Sequence, residues 1–234
     1  MRIEDTIDEL VVANRILASQ RAVDTLGHVS VRSPLNPQRF LLSCARAPDC
    51  IEARDIMEFT FDGNPVEAQG RKPYLERFIH AALYEARPDI NSVVHNHSHA
   101  VIPFGVTGKK LRPIMHVASV LGADIPIWDS ADRFDDILVS NIDMGRSLAQ
   151  CIGAGAVALM RGHGATLAGR ILREAVRSSI QLQVNAELHQ RALQLAGETS
   201  IKFLSMHEID VMNARDPETG IGRAWESWRR QAGI

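Results

Sequence analysis

The sequence contains no C-x-x-C pair: its three cysteines, Cys44, Cys50 and Cys151, are scattered and odd in number. That argues against a disulfide framework and fits a reducing compartment. No uncharged apolar run reaches the ~20 residues that a membrane-crossing helix needs. The opening stretch, MRIEDTIDELVVANR, carries acids early and lacks the apolar core of a secretory leader, so a cytoplasmic location is expected. A block of basic charge is also missing. Net charge is −2 with both signs spread along the chain, which removes the electrostatic footprint of a nucleic-acid binder. There is no internal repeat, low-complexity tract or linker. What is present is an ordinary globular mixture, 45% hydrophobic and 23% charged. At this length about 70% of the unfolded surface can be buried without a covalent staple. One domain over residues 1–234 is expected, with a short helical tail from about residue 205.

Apolar residues at helical spacing mark residues 3–20 as an amphipathic helix. Period-two alternation at 26–32, a Ser-Pro-Leu-Asn-Pro break, and a second run at 39–42 read as a β-hairpin. A further strand spans 56–61. Pro73 marks a helix start, with helix over 74–87 until Pro88 stops it. Residues 90–97 read as a buried strand, 124–128 as a short one and 156–160 as a short apolar one. Helices are expected at 142–152 and at about 171–196, the second closed by Gly197. His189 on that helix is read as solvated, and Trp225 and Trp228 as packing anchors. Helices and hairpins mix without regular βαβ alternation. The fold class expected is α/β, a single α/β/α layered domain around a central, mostly antiparallel sheet.

The chemistry concentrates in VVHNHSH at 93–99, which holds three of the nine histidines. On a strand, residues i and i+2 share a face, so His95 and His97 stand about 6–7 Å apart at their Cα atoms. Imidazoles at that spacing can converge on one metal ion. His99 belongs to the turn that follows. His163 sits between two glycines directly after the 156–160 strand, where the backbone can approach closely and aim the ring into a site. Glu76, in the first turn of its helix, is the candidate fourth ligand or general acid/base. Zinc suits three imidazoles; manganese, cobalt and iron(II) take the same ligands.

GHVSVR at 27–32, Glu76 on its helix, RPDINSVVHNH at 87–97 and LMRGHG at 159–164 together resemble the class II aldolase/adducin family, over most of the chain. The resemblance implies homotetramers with sites at subunit interfaces. It also implies one divalent metal ion on His95, His97 and His163, with Glu76 as ligand or acid/base. Two departures bear on the substrate. The Thr-Gly and Ser-Ser pairs that grip phosphate in sugar-phosphate members are replaced by Ala45-Arg46 and Tyr74-Leu75, and Val117 after His116 stands where an aldolase tyrosine is expected. A phosphate dianion would lack its donors. The Arg46 guanidinium fork suits a carboxylate instead, and His28 replaces an amide side chain.

SCARAP at 43–48, the LMRGHG turn and the Trp-x-x-Trp tail are similar to the decarboxylase branch. That branch acts on carboxylated aromatic catabolites of the dihydroxyphthalate or carboxy-hydroxymuconic semialdehyde type, through a metal-stabilised enolate or phenolate. The expected function is therefore a metal-dependent carboxy-lyase acting on a small-molecule carboxylate. Glu76 is its catalytic residue, and His28, Ser43, Arg46, Tyr74 and His116 bind substrate, His116 from a neighbouring subunit. The alternatives are a retro-aldolase or epimerase on an unphosphorylated hydroxy-carbonyl compound, an iron oxygenase, and a non-catalytic adducin-like module. Retention of all four ligands argues against the last. His-Asn-His as a nuclease motif fails on charge.

Overall fold

Alternation along β1 (His28–Arg32) sends Val29 and Val31 to one face of the sheet, and His28 and Ser30 to the other. The computed structural model, which describes residues 2–216 and 220–234, repeats this pattern across seven strands. With β2 (Arg39–Ser43), β3 (Ile56–Thr60), β4 (Ser92–Asn96), β5 (Ile127–Trp128), β6 (Val157–Met160) and β7 (Gly164–Gly169), the order is β3-β2-β1-β4-β7-β6-β5. Every neighbouring pair is antiparallel except β5 with β6.

Each face is covered by helices. On one side α1 (Ile3–Ser19) and α5 (Leu172–Ala196) pack Leu10, Ile16, Leu17, Val176 and Ile180 against Val29, Val31, Val94 and Leu167. On the other, α2 (Arg77–Ala86) and α4 (Ile142–Ile152) pack Ile79, Leu83, Met144 and Leu148 against Phe40, Leu42, Val93 and Ala158. Successive strand residues thus feed two separate cores, and each fully buried aliphatic side chain contributes about 1.5–3 kcal/mol. This is the expected α/β/α layering. The helix ends have local causes. Asn141 Oδ1 accepts from Met144 N at 3.0 Å to start α4, and Gly197, at φ 68°, ends α5. Gly145 lets α4 touch α2: a Cβ there would lie 2.4 Å from the Phe78 carbonyl oxygen. Two further helices, α6 (Met206–Asn213) and α7 (Ile221–Gln231), follow the stretch after α5, itself preceded by the short α3 (Ile102–Thr107) in the middle of the chain. Trp225 is buried against the α1/α5 core with the Arg173 guanidinium 5.1 Å over its ring, and Trp228 packs there too. Among the described residues no helix is long and apolar enough to cross a membrane.

Three expectations need correction. Helix α2 starts at Arg77, not at Pro73, because residues 72 and 73 pair with the end of β2: Ala45 N donates to Lys72 O at 2.8 Å, and Cys44 bridges Pro73. The stretch GATLAG after His163 forms the central strand β7 and had no counterpart in the sequence reading. Its residues are too small to signal a strand, and smallness is what the position requires, since a Cβ on Gly169 would meet Ala175 N at 2.7 Å. His189 is not solvated. It is 2% exposed, with its ring between Phe104 and Phe203, each 5.0 Å away, and its Nδ1 has no hydrogen-bond partner.

Candidate metal centre

Three stretches of chain deliver four ligand atoms to one place. His95 projects from β4 toward the α2 side, His97 follows the last residue of that strand, and His163 lies in the turn joining β6 to β7. Glu76 is the residue immediately before α2, and its side chain makes no cap hydrogen bond to that helix. The ligand atoms of all four residues lie within 4.8 Å of one another. His97 Nε2 is 3.1 Å from His95 Nε2 and 3.1 Å from His163 Nε2. Glu76 Oε2 is 3.5 Å from His95 Nε2 and 3.4 Å from His163 Nε2. Donors about 2.0–2.1 Å from a tetrahedral ion stand about 3.3–3.4 Å apart, so these separations fit a common cation.

Proton accounting reaches the same result. His97 Nδ1 donates to Asp24 Oδ1 at 3.0 Å, and His163 Nδ1 to the Ile137 carbonyl at 3.2 Å. Thr166 Oγ1 gives its own proton to Met160 Sδ, so it accepts from His95 Nδ1 at 3.3 Å. With every Nδ1 carrying the hydrogen, three Nε2 lone pairs and the Glu76 Oε2 face one another without a donor. A cation satisfies such a set, and the outer hydrogen bonds fix each ring for ligation. Burial pushes the Glu76 carboxyl up and positive charge at the His95 and His163 positions draws it down; with both rings neutral, as the proton count requires, a bound cation would supply that pull. Its second oxygen is anchored, Oε1 accepting from Val139 N at 3.1 Å. Burial pushes His95 down, favouring the neutral ring. Asp24 is likewise raised by burial, yet His97 and the Leu26 and Gly27 amides, at 3.0 and 2.9 Å, carry it below the ordinary range.

The residues expected to bind substrate are spread unevenly. His28 pairs with His95 in the β1–β4 register, and their ring centroids are 5.1 Å apart. The Tyr74 ring lies 4.5 Å from His28 on its other side. The Tyr74 hydroxyl accepts from Ser43 Oγ at 3.2 Å and donates to the Arg46 carbonyl, so Ser43, Tyr74 and the Arg46 backbone form one group. The Arg46 guanidinium turns elsewhere, to Asp55 at 2.7 Å. His116 is exposed on a 3-10 turn and is not among the four residues that converge. Neither Ala45 nor Arg46 offers a free amide: Ala45 N is bonded to Lys72 O and Arg46 N to the Tyr74 hydroxyl at 3.4 Å.

Sequence reasoning missed Asp24, Thr166, Ser30, His80 and Tyr84. A signal for three of them was there. Glu76, His80 and Tyr84 recur every four residues, a polar stripe on one helix face, opposite the i, i+2 pair His28 and Ser30. Asp24 and Thr166 carried no pattern, being placed by a loop and by β7.

The chain belongs to the family described as the class II aldolase and adducin N-terminal domain, whose pattern matches residues 8–190. It is 34% identical to decarboxylase tropJ of Talaromyces stipitatus, over 92% of this chain and 90% of that one. It is 30% identical to a 3,4-dihydroxyphthalate decarboxylase of Arthrobacter keyseri, over 81% and 79%. An aldolase II superfamily protein from Pseudomonas syringae superposes with a TM-score of 0.82 at 23% identity, over 99% of this chain and 93% of that one. Family and relatives together define a lyase of the carboxy-lyase kind with a metal-site geometry.

Proposed function

We propose that the chain is a divalent-metal-dependent decarboxylase of a carboxylated dihydroxyaromatic, or of a carboxylated ring-cleavage product. The observation that carries the reading is the convergence of three Nε2 atoms and one carboxylate oxygen at metal-ligand separations, beside a wall without free amides for phosphate. A divalent cation there, with zinc the first choice and manganese, cobalt or iron(II) the others, supplies a Lewis acid for the oxygens next to the scissile carbon. The chain does the rest. Ionised Glu76, leaving the ligand set as the substrate's oxygens enter it, would take the proton of the substrate hydroxyl on Oε2 while Val139 N holds Oε1 in place. After CO2 leaves, it returns that proton to the carbon, and the product hydroxyl is restored from water. Tyr74 and His28 line the carboxylate end, with Ser43 holding the Tyr74 hydroxyl. Arg46 reaches the carboxylate by exchanging Asp55 for it.

Leu75, Ile137 and Leu138 stay exposed beside Glu76 and the Ile137 carbonyl that holds His163. They support a homotetramer with sites at subunit boundaries, where His116 of one chain can serve another. The test combines metal analysis of purified protein with CO2 release from a small panel of dihydroxyphthalates and dihydroxybenzoates. Metal at one per chain, lost in His95→Ala, and CO2 without aldehyde are expected. Aldehyde release instead would make the enzyme a retro-aldolase, and intact metal in His95→Ala would overturn the ligand set. Light scattering should give about four times the 25.8 kDa chain mass.

A further inference from the structure

His28 and Ser30 share one face of β1, and His80 and Tyr84, one helical turn apart, share the face of α2 that covers it. All four side chains are buried. They form an unbroken row: the Tyr84 hydroxyl is 2.8 Å from Ser30 Oγ, Ser30 Oγ is 2.6 Å from His80 Nδ1, and His80 Nε2 is 2.7 Å from His28 Nδ1. Neither the metal-ligand set nor the proton transfer assigned to Glu76 uses Ser30, His80 or Tyr84.

The direction of the row follows from counting protons. Burial pushes the Tyr84 phenol up, so it keeps its hydrogen. The one side-chain hydrogen-bond partner of its hydroxyl among the described residues is Ser30 Oγ, and it donates there. Ser30 has one hydrogen and one other neighbour, so it donates to His80 Nδ1. Burial pushes His80 down to about 3, leaving a neutral ring with its single hydrogen on Nε2, given to His28 Nδ1. His28 Nδ1 accepts that hydrogen and carries none of its own, so the ring's hydrogen sits on Nε2. The reverse direction would leave the buried Tyr84 or Ser30 hydroxyl without an acceptor, at a cost of about 1–3 kcal/mol. His28 Nε2 has no partner among the described residues. The residue is 2% exposed, so this nitrogen faces the interior rather than bulk solvent. It belongs to the ring lying between Tyr74 and His95, at the edge of the metal centre.

We propose that Tyr84, Ser30 and His80 are positioning residues that lock His28 as a neutral Nε2–H donor into the metal centre, selecting substrates that place a carboxylate oxygen there. A carboxylate only accepts, so it matches a fixed donor without any rearrangement. A hydroxyl fits only by turning its own hydrogen away. The selectivity rests on the decarboxylase reading, but the direction of the row does not.

Two-bond 1H–15N correlation spectra of the zinc-loaded protein read the ring directly. In the unmodified chain both His28 and His80 should carry hydrogen on Nε2 alone. In Tyr84→Phe, which keeps the ring and its packing, the terminal donor is gone, and a share of Nδ1-protonated His28 should appear. Calorimetric binding of 2,3-dihydroxybenzoate should weaken about tenfold in that variant, the scale of one hydrogen bond to a charged group, while catechol, lacking the carboxylate, should be affected less than twofold. His28 protonated on Nδ1 in the unmodified chain would overturn the inference whatever the activity. So would a Tyr84→Phe variant with unchanged ring spectra, or one that weakens both ligands equally. Failure of the whole substrate panel to release CO2, with His28 protonated on Nε2 alone, would sink the decarboxylase reading and leave the row standing.

Discussion

Gly164 separates β4 from the turn that carries His163, and replacing it with alanine should dismantle the candidate metal centre without touching any of its four residues. A Cβ at this position would fall 1.9 Å from the Asn96 carbonyl oxygen, 2.8 Å from its carbonyl carbon and 2.9 Å from His97 Cα. A carbon–oxygen contact relaxes at about 3.3 Å, so the end of β4 must retreat by about 1.4 Å. All the obstructing atoms are backbone, so no rotamer change can absorb the clash. Overpacking of this kind costs about 1–3 kcal/mol in stability. The larger effect is on His97, whose Nε2 is 3.1 Å from each of its two partners. A retreat of that size opens those edges beyond the spacing that one tetrahedral ion can span. Metal affinity should fall by at least the 10–100-fold seen when outer-sphere support is removed. The assay is competition with a chelator of known affinity, with metal per chain measured by emission spectroscopy after dialysis. Gly222→Ala is the control: nothing lies within 4 Å of that Cβ, the residue is inside α7, and alanine there should leave metal binding alone while stabilising the helix by up to about 1 kcal/mol. A Gly164→Ala protein with unmodified stoichiometry and affinity would refute the claim that strand contact sets the position of His97.

Asp24→Asn keeps the shape but weakens the hold on His97 Nδ1, and should cost about 10–100-fold in metal affinity while leaving the fold intact; unchanged chelator competition would count against it. Arg46→Ala should raise KM for the carboxylated substrate with little change in kcat, and an unmoved KM would remove Arg46 from the site. His189→Leu replaces a buried ring whose Nδ1 lacks a partner, and should stabilise the chain by about 1 kcal/mol in denaturant unfolding; a loss of stability would show that the ring has an unseen partner. In chelator-treated protein, stability should fall as pH drops below about 6.5, because the unfolded chain protonates His80 there while the folded chain resists until about pH 3. At pH 5 the loss from this residue alone is about 2 kcal/mol, and a flat stability profile from pH 7 to pH 5 would contradict it.

Much of the layered fold was legible because its signals are periodic. The hairpin of β1 and β2, the strand before His97, the 142–152 helix and the long α5 follow from alternation and helical spacing. β7 was invisible for a physical reason: a central strand pressed on both sides uses small residues, and small residues carry no strand signature. The start of α2 was misplaced since Pro73 is equally at home in the extended pairing that it makes with Cys44. At the candidate site, the three histidines and Glu76 stood out because histidines spaced i, i+2 or set between glycines are conspicuous, and the fold brings all four together. Their supports did not, because a threonine on an unseen strand, an aspartate in a loop and a backbone carbonyl acquire meaning only after the chain has folded. Arg46 shows the opposite limit. Its residue type suggested a carboxylate clamp, yet the fold supplies it with Asp55.

Gly145 presses α4 against the Phe78 carbonyl in the first turn of α2, between Glu76 and His80 in the sequence. Any side chain added there would slide the helix as a rigid rod, shifting a candidate ligand and the row behind His28 in the same stroke. Variation at this buried helix crossing would therefore act on the candidate ligand and on the row behind His28 together, and neither could drift alone.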